Sequence, residues 1–407
     1  NPEVVFAAWD GLRNVADKAD SSDLADKIIE GLNDPRSEVL WRVLRCAERL
    51  PRVDLIPHIV PHVRSNIAQV RVHAFRALAQ NDHPLALKAV LLGSLQPTPS
   101  QDRHQRTAVA NCRALGQLGS HAFNPESVLN AEDRHLFAEV LIEAAGQNNP
   151  HLAATALGAM EQLGNQFDLP AEAAEQESLL PVWRIRMSRA AHSHLRHQNP
   201  GVRAAAIRSW AALRGSGSAE ELRNLLKSTP ASTDLEAILH ALGRQAESPL
   251  QTLSSFANGR TETVPVRVAA LEALHSLAGR SSSAGDRSVI LNKLTQAAAD
   301  SDFVIAATAI GYLDDFPERT SLIALAEAWD MEFEEGEAEV KRAIIGVING
   351  YGPEILELKR EDEPGSFPDR LISMVASILR DAFDFPDLRI RLEAREAARS
   401  TNLLPPQ

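Results

Sequence analysis

Histidine and arginine concentrate in one stretch of the sequence, RAAHSHLRHQNPGVR, which runs from Arg189 to Arg203 and holds three residues of each type. Imidazole nitrogens are common zinc ligands, and guanidinium groups bind carboxylates and phosphates through paired hydrogen bonds. The residue types therefore suit a metal ion or an anion. No Asp or Glu lies between Glu177 and Glu220, so the surrounding sequence supplies no counter-charge.

Helical geometry argues against a metal site in this stretch. If residues Val182 to Gln198 form one helix, His194 lies in the middle of its apolar side and His192 points roughly 160° away. His194 and His197 are close enough to meet, but zinc needs three or four ligands, and no further ligand with a recognised spacing is visible. We expect no metal here and predict that His194 packs against the core.

The remaining candidate site is a basic ridge on the polar side of this helix and on the helix after it. The pattern predicts unpaired cations that meet an acidic protein surface, a phosphate or the acidic region of another copy of the chain. The alternative is that these are solvated charges with no specific partner, as exposed charge runs usually are. The ridge residues predicted to bind a partner are Arg186, Arg189, His192, Arg196 and Arg208.

Length and charge restrict the class of protein. The chain has 407 residues, of which 44% are hydrophobic and 24% charged. Because a single core stops growing at roughly 250 to 300 residues, such a chain forms several domains or a repeat array. The net charge of -12 argues against a general nucleic-acid binder. Asp300 to Arg370 contains 18 acidic and six basic residues, so this segment alone accounts for the net charge.

The cysteines, the apolar runs, the first residues and the ratio of arginine to lysine give further expectations about the chain. Cys46 and Cys112 lie in apolar helical contexts and are predicted to be buried. No run approaches the roughly 18 apolar residues of a membrane span. The first residues, NPEVVFAAWD, contain neither a Met start nor a signal peptide, which indicates a processed form or a fragment. Arginine outnumbers lysine by 35 to seven, which suits a GC-rich bacterial source; the compartment, cytoplasmic or periplasmic, is left open.

A helix-start pattern repeats along the whole sequence. A capping or helix-starting residue precedes an apolar position, often a basic residue, and then a run rich in Ala and Leu. Amphipathic stretches such as SDLADKIIEGL and SVILNKLTQAA lie between these segments, so we predict helical hairpins and no strands. The eight segments are NPEVVFAAWDGL, DPRSEVLWRVL, IAQVRVHAFRAL, NPHLAATALGAMEQLG, NPGVRAAAIRSWAAL, VPVRVAALEALHSLAG, SDFVIAATAIGYL and FPDLRIRLEAREAA.

These segments resemble the HEAT-repeat family through an Asp/Asn-Pro-x-Val-Arg element, seen at Asn199, Pro200, Val202 and Arg203. The resemblance implies an all-α, right-handed α-α superhelix of about 10 to 11 hairpins across residues 1–407. It also implies that the motif arginine bonds a neighbouring hairpin. An armadillo-type solenoid is the nearest competitor. Longer inter-repeat segments are predicted near 97–106, 165–181 and 353–368, and structural arginines at Arg71, Arg203, Arg267 and Arg389.

The acidic segment AWDMEFEEGEAEVKR, from Ala328 to Arg342, lacks the alternating oxygen ligands of a calcium loop. We predict a helix end, a turn that contains glycine and a helix start. Motifs of hydrolases, P-loop enzymes and zinc proteases are also absent from the sequence. We therefore expect neither an enzyme nor a cofactor.

The leading functional hypothesis is a non-enzymatic scaffold that binds a protein or peptide. TAVANCRALGQLG, VRVHAFRALAQ and RLEAREAARSTNLLPP also resemble the HEAT-repeat portion of bacterial HEAT/cyclophilin fusions, which implies a prolyl isomerase beyond Gln407. The third hypothesis is nucleic-acid binding through the arginines of 184–214. It is disfavoured by the acidity and by an aromatic content of 5%.

Overall fold

Capping residues begin the helices where the repeat pattern places them. The Asn199 side chain accepts hydrogen bonds from the backbone amides of Gly201 and Val202, at 3.0 and 3.3 Å. Asn149, Asp302 and Asp387 cap other repeats in the same way. Each cap satisfies amide groups that the first helical turn leaves without a partner.

The computed structural model describes most of the chain, and every regular element in the described part is helical. The described residues are 2–16, 21–96, 102, 105–123, 129–167, 181–228, 231–244, 249–259, 261–281, 283–360 and 367–403. The chain divides into two compact units, Asn1–Asn224 and Leu225–Gln407. The prediction of one solenoid over residues 1–407 stays a prediction.

The first unit consists of stacked hairpins that are formed by helices α1 to α12. The short helix α13 begins in this unit. The helices are α1 Pro2–Val15, α2 Ser21–Leu32, α3 Ser37–Ala47, α4 Ile56–Ile59, α5 Ala68–Ala79, α6 Pro84–Ser94, α7 Arg106–Leu118, α8 Ser120–Phe123, α9 Ala131–Ala145, α10 Pro150–Gln166, α11 Val182–Ser193, α12 Pro200–Arg214 and α13 Ala219–Lys227.

The helices of the first unit form two rows. In row 1, each helix packs on the next in the order α1, α3, α5, α7, α10, α12. Row 2 contains α2, α4, α6, α9 and α11. The core lies between the rows and is filled by fully buried side chains such as Leu44, Phe75 and Leu87. At Gly164 the backbone of α10 approaches Ala212 so closely that a Cβ atom would clash with it.

The second unit repeats this arrangement, with α14, α16, α18, α20 and α23 in row 1 and α15, α17, α19 and α22 in row 2. Helix α21 packs against α22 and α23. The helices are α14 Ser232–Gly243, α15 Leu250–Ala257, α16 Val264–Ala278, α17 Ala284–Ala298, α18 Phe303–Leu313, α19 Arg319–Trp329, α20 Glu337–Gly350, α21 Gly352–Arg360, α22 Phe367–Phe383 and α23 Leu388–Thr401.

Most of the predicted inter-repeat segments fall outside the described residues, which omit 97–101, 168–180 and 361–366. In the third segment, residues 353–360 are helical, within the helix Gly352–Arg360. The acidic segment forms the predicted helix end, turn and helix start: α19 ends at Trp329 and α20 begins at Glu337. Gly336, at the end of the turn, has a φ of 69°, which favours glycine.

Candidate partner-binding surface

The histidine-rich helix is shorter than the sequence predicts. Helix α11 ends at Ser193, because the chain must turn before Asn199 can cap α12. His194 therefore lies half-buried in the turn, and its ring centroid is 5.8 Å from that of His197. The prediction that His194 packs on a helix face was wrong. Burial and then the neighbouring His197 lower the pKa of His194, which favours the neutral ring.

Two arginines of the basic ridge form ion pairs with neighbouring helices, and His192 forms a hydrogen bond with another. Arg186 contacts Glu139 of α9 at 2.6 Å, His192 contacts Glu221 of α13 at 3.1 Å, and Arg208 contacts Glu161 of α10 at 3.1 Å. The prediction that these residues are unpaired was wrong. All three carboxylates lie outside the acid-free window of the sequence, and the packing of the hairpins brings them to the ridge.

Arg189 and Arg196 complete the ridge and are exposed. Arg189 lies on α11, whereas Arg196 lies in the turn that follows it. The ridge thus combines exposed guanidinium groups with carboxylates from α9, α10 and α13, so its positive charge is smaller than the sequence suggests. Partner binding by these residues stays a prediction.

Arg184 is the most consequential residue of this region, and the sequence argument missed it. Only 2% of Arg184 is exposed. Its Nε atom donates to the Leu213 carbonyl at 2.7 Å, and Nη2 donates to the carbonyls of Gly164 and Ala212 at 3.2 and 2.9 Å. Nη1 donates to the Phe167 carbonyl at 3.0 Å. One guanidinium therefore caps the carboxyl ends of both α10 and α12.

The predicted structural arginines have two kinds of partner. Arg71 donates to the carbonyls of Gly93 and Gln96 at the end of α6, in the next hairpin. Arg267 bonds the Ala257 carbonyl of its own hairpin and contacts Asp300 of the next one at 2.5 Å.

Arg203 donates to the carbonyls of His197 and Gln198, in the turn of its own hairpin. The equivalent residue in the last repeat is Arg391, which donates to the carbonyls of Phe385 and Pro386. The assignment of Arg389 to this position was wrong, because the helix is capped by Asp387 and the repeat register therefore shifts by two residues.

Two cations cap helix ends in the second unit as well. Arg280 donates to the carbonyls of Gly243 and Arg244, at the end of α14. Lys341 is 5% exposed and donates to the carbonyls of Trp329 and Met331, at the end of α19. Burial lowers the pKa of both side chains, although acidic neighbours oppose the shift at Lys341.

Metal and thiol chemistry receive little support from the described residues. No group of three or more His, Cys, Asp or Glu side chains is arranged there to hold a metal ion. Both cysteines are buried, as predicted, and burial is the main cause that raises the pKa of each thiol to about 12. The thiols therefore stay protonated and unreactive at neutral pH.

In each unit, row 1 presents a face to solvent that the sequence argument did not identify. Among the described glycines, four have open space where a Cβ atom would lie, with nothing within 4 Å apart from the adjacent residues and the backbone of their own helix. All four belong to row 1 helices, at the ninth or tenth residue of each helix. They are Gly11 of α1, Gly158 of α10, Gly311 of α18 and Gly346 of α20.

In the second unit, this face contains a groove of about 510 Å³ between α20 and α23. Ala343 and Gly346 are among its lining residues. Carboxylates lie along it on both helices, from Glu339 on α20 and from Glu393 and Glu396 on α23. Arg342, on α20, is the single basic residue of the lining.

The units differ in charge. The first contains 24 Lys and Arg against 25 Asp and Glu, a balance of -1, and the second contains 18 against 29, a balance of -11. The groove between α20 and α23 lies in the second unit, which is the acidic one.

Comparison with known proteins identifies the fold. No protein-family model and no curated protein matches the chain. The chain is similar to a structure described as a homology model of the full-length AP-3 complex in an intermediate open conformation. The TM-score is 0.50 at 10% identity, and the match covers 100% of this chain and 74% of that one. The fold is that of a HEAT-like helical solenoid.

Two transport proteins also match. A crystal structure of importin beta has a TM-score of 0.46 at 11% identity, over 92% of this chain and 50% of that chain. A Kap95p structure with RanGDP has a TM-score of 0.46 at 14% identity, over 93% and 49%. This chain thus spans about half the length of each transport protein. At these identities the likeness concerns the fold alone.

Within the described residues, no helix combines the length and the apolar character that a membrane crossing needs.

Proposed function

We propose that the chain is a non-enzymatic interaction scaffold that holds a protein or peptide along the exposed face of row 1. The four glycines of this face carry the proposal. A glycine inside a helix costs about 0.5 to 1 kcal/mol relative to alanine. Packing does not demand the loss of the side chain here, because nothing in the described chain lies near the missing Cβ atoms.

A surface that receives another chain gives these glycines a purpose. Without side chains, the helix backbone forms the floor of a shallow trough, and a partner backbone can approach it closely. The equal position of the glycines along their helices places them at one level of the row in each unit. The solenoid architecture supports this use, since stacked hairpins present extended binding surfaces.

Position-specific photo-crosslinking tests the proposal. A benzophenone amino acid replaces Thr308, which is half-buried and lies about one turn before Gly311 on α18. The control position is Val289 of α17 in row 2, which is 42% exposed. In lysate of the source cells we expect adducts from position 308 alone, and we expect Gly311→Leu to abolish them. Equal labelling from both positions, or adducts that persist in the leucine variant, contradicts the proposal.

Two alternatives from the sequence have weaker support. The likeness to HEAT/cyclophilin fusions stays a prediction, which would make the chain the client-presenting part of a prolyl isomerase. Nucleic-acid binding by the arginines of 184–214 is opposed by the ion pairs of Arg186 and Arg208, because Glu139 and Glu161 repel phosphates. An electrophoretic shift at low salt that disappears with added salt would favour it.

A further inference from the structure

We infer that the groove between α20 and α23 binds an extended, lysine- or arginine-rich segment of a partner protein. This inference rests on the proposed scaffold function and specifies the chemistry of the partner. The occupant follows from the charges, the groove lining and the depth of the site.

The charges in the groove are unbalanced. Arg342 Nε donates to Glu393 at 2.8 Å, so one of the three carboxylates is neutralised within the groove. Glu339 and Glu396 are exposed and have no ion pair among the described residues. Two negative charges therefore face solvent on either side of the groove, one from each helix.

The wider field acts in the same direction. The second unit carries 11 of the 12 net negative charges of the chain. A cationic segment is attracted over a distance by this field before it makes any contact, whereas an acidic or phosphorylated segment is repelled. Charge complementarity thus selects the sign of the partner.

The groove lining favours an extended chain over a partner helix. Ala343 and Gly346 leave a shallow, narrow depression in which a peptide backbone can lie close to α20. A docked helix needs a broad apolar stripe. Helix α23 has two exposed large apolar side chains, Leu388 and Leu392, and neither lines the groove.

Fluorescence anisotropy with a labelled peptide of alternating lysine and serine tests the inference on the full chain. A peptide of alternating glutamate and serine is the charge control. We expect the lysine peptide to bind at low salt and the glutamate peptide not to bind. The double variant Glu339→Gln/Glu396→Gln removes the two unpaired carboxylates, and we expect binding to weaken about three- to tenfold.

A matched double variant has the same net charge as Glu339→Gln/Glu396→Gln. Glu327→Gln/Glu332→Gln removes two exposed carboxylates that do not line the groove, and we expect it to weaken binding less than twofold. Equal losses in the two double variants would show that only net charge matters and would overturn the inference.

Gly346→Leu separates binding from folding. The Cβ atom of the new side chain meets open space, so we expect the helix to keep its packing and to gain helix propensity. We expect an unchanged or higher melting temperature, together with loss of peptide binding. Gly346→Ala is the milder variant, with partial loss. Wild-type affinity in a folded Gly346→Leu protein refutes the inference. If crosslinking at position 308 succeeds while the lysine peptide does not bind, the scaffold function stands and the basic occupant is wrong.

Discussion

Replacement of Arg184 by alanine is the most demanding test of how the hairpins are held together. The substitution removes four hydrogen bonds of a charged donor, two of them, to Gly164 and Leu213, in fully buried surroundings. A buried carbonyl without a donor costs about 1 to 3 kcal/mol. The removal of a desolvated guanidinium offsets part of this loss. We therefore expect Arg184→Ala to lower the free energy of unfolding by about 3 kcal/mol.

The loss should be visible as a shift in melting temperature and should be confined to particular helices. For a unit of 224 residues, about 2 to 4 °C per kcal/mol gives a shift of roughly 6 to 12 °C. Far-UV circular dichroism during heating and in urea measures the loss. Hydrogen exchange should accelerate most at the carboxyl ends of α10 and α12, because these ends lose their cap.

Two further variants isolate the cause. Arg184→Lys keeps the charge but not the fork of donors, so we expect about half of the loss. Arg196→Ala removes an exposed arginine from the same hairpin, and we expect a change within about 0.5 kcal/mol. A loss below about 1 kcal/mol for Arg184→Ala, or equal acceleration of hydrogen exchange in helices far from Arg184, would refute the reasoning.

Three other predictions concern the repeat register, a turn and the thiols. Arg391→Ala should destabilise the protein by about 1 to 2 kcal/mol in urea unfolding, and Arg389→Ala by less than about 0.5 kcal/mol. A larger loss for Arg389→Ala would show that Arg389 is the motif arginine, as the sequence predicted. Gly336→Ala should cost about 2 kcal/mol or more, because φ is 69°, and thermal unfolding without a shift would contradict this strain. Cys46 and Cys112 should resist iodoacetamide at pH 8, where about one thiol in 10,000 is ionised at a pKa of about 12, and should react after unfolding; rapid alkylation of the native protein would contradict their burial.

The fold was predictable from the sequence because its signals are local. Each signal spans only one or two helical turns: a cap such as Asn199, a proline at the first helical position, and a run of Ala and Leu. Together these signals predict the helices and their order. The end of α11 at Ser193 was missed because the apolar pattern continues into the turn. Register errors arose in the same way, since FPDLRIR offers two arginines and only the position of the Asp387 cap distinguishes them.

The candidate site was less predictable because its partners are distant in sequence. Arg186 and Glu139 are 47 residues apart, and only the packing of α11 on α9 brings them together. Arg184 has no signal in a single sequence, since a polar residue beside Trp183 looks like a surface residue until the carbonyls of α10 and α12 converge on it. For the exposed face of row 1, the glycines within AIGYL and RAIIGVING were a visible clue, because helix interiors usually avoid glycine.

The arginines that cap helices of other hairpins have a consequence for how this chain can be divided. Arg71, Arg184 and Arg280 each bond carbonyls of a neighbouring hairpin. A single hairpin cut out of the chain therefore leaves a guanidinium with fewer acceptors, or carbonyls without a donor, at the cut. The smallest piece that retains these hydrogen bonds is a pair of adjacent hairpins. Truncations, and any lengthening of the array by duplication, should thus be tolerated best where both hairpins of each bonded pair stay in place.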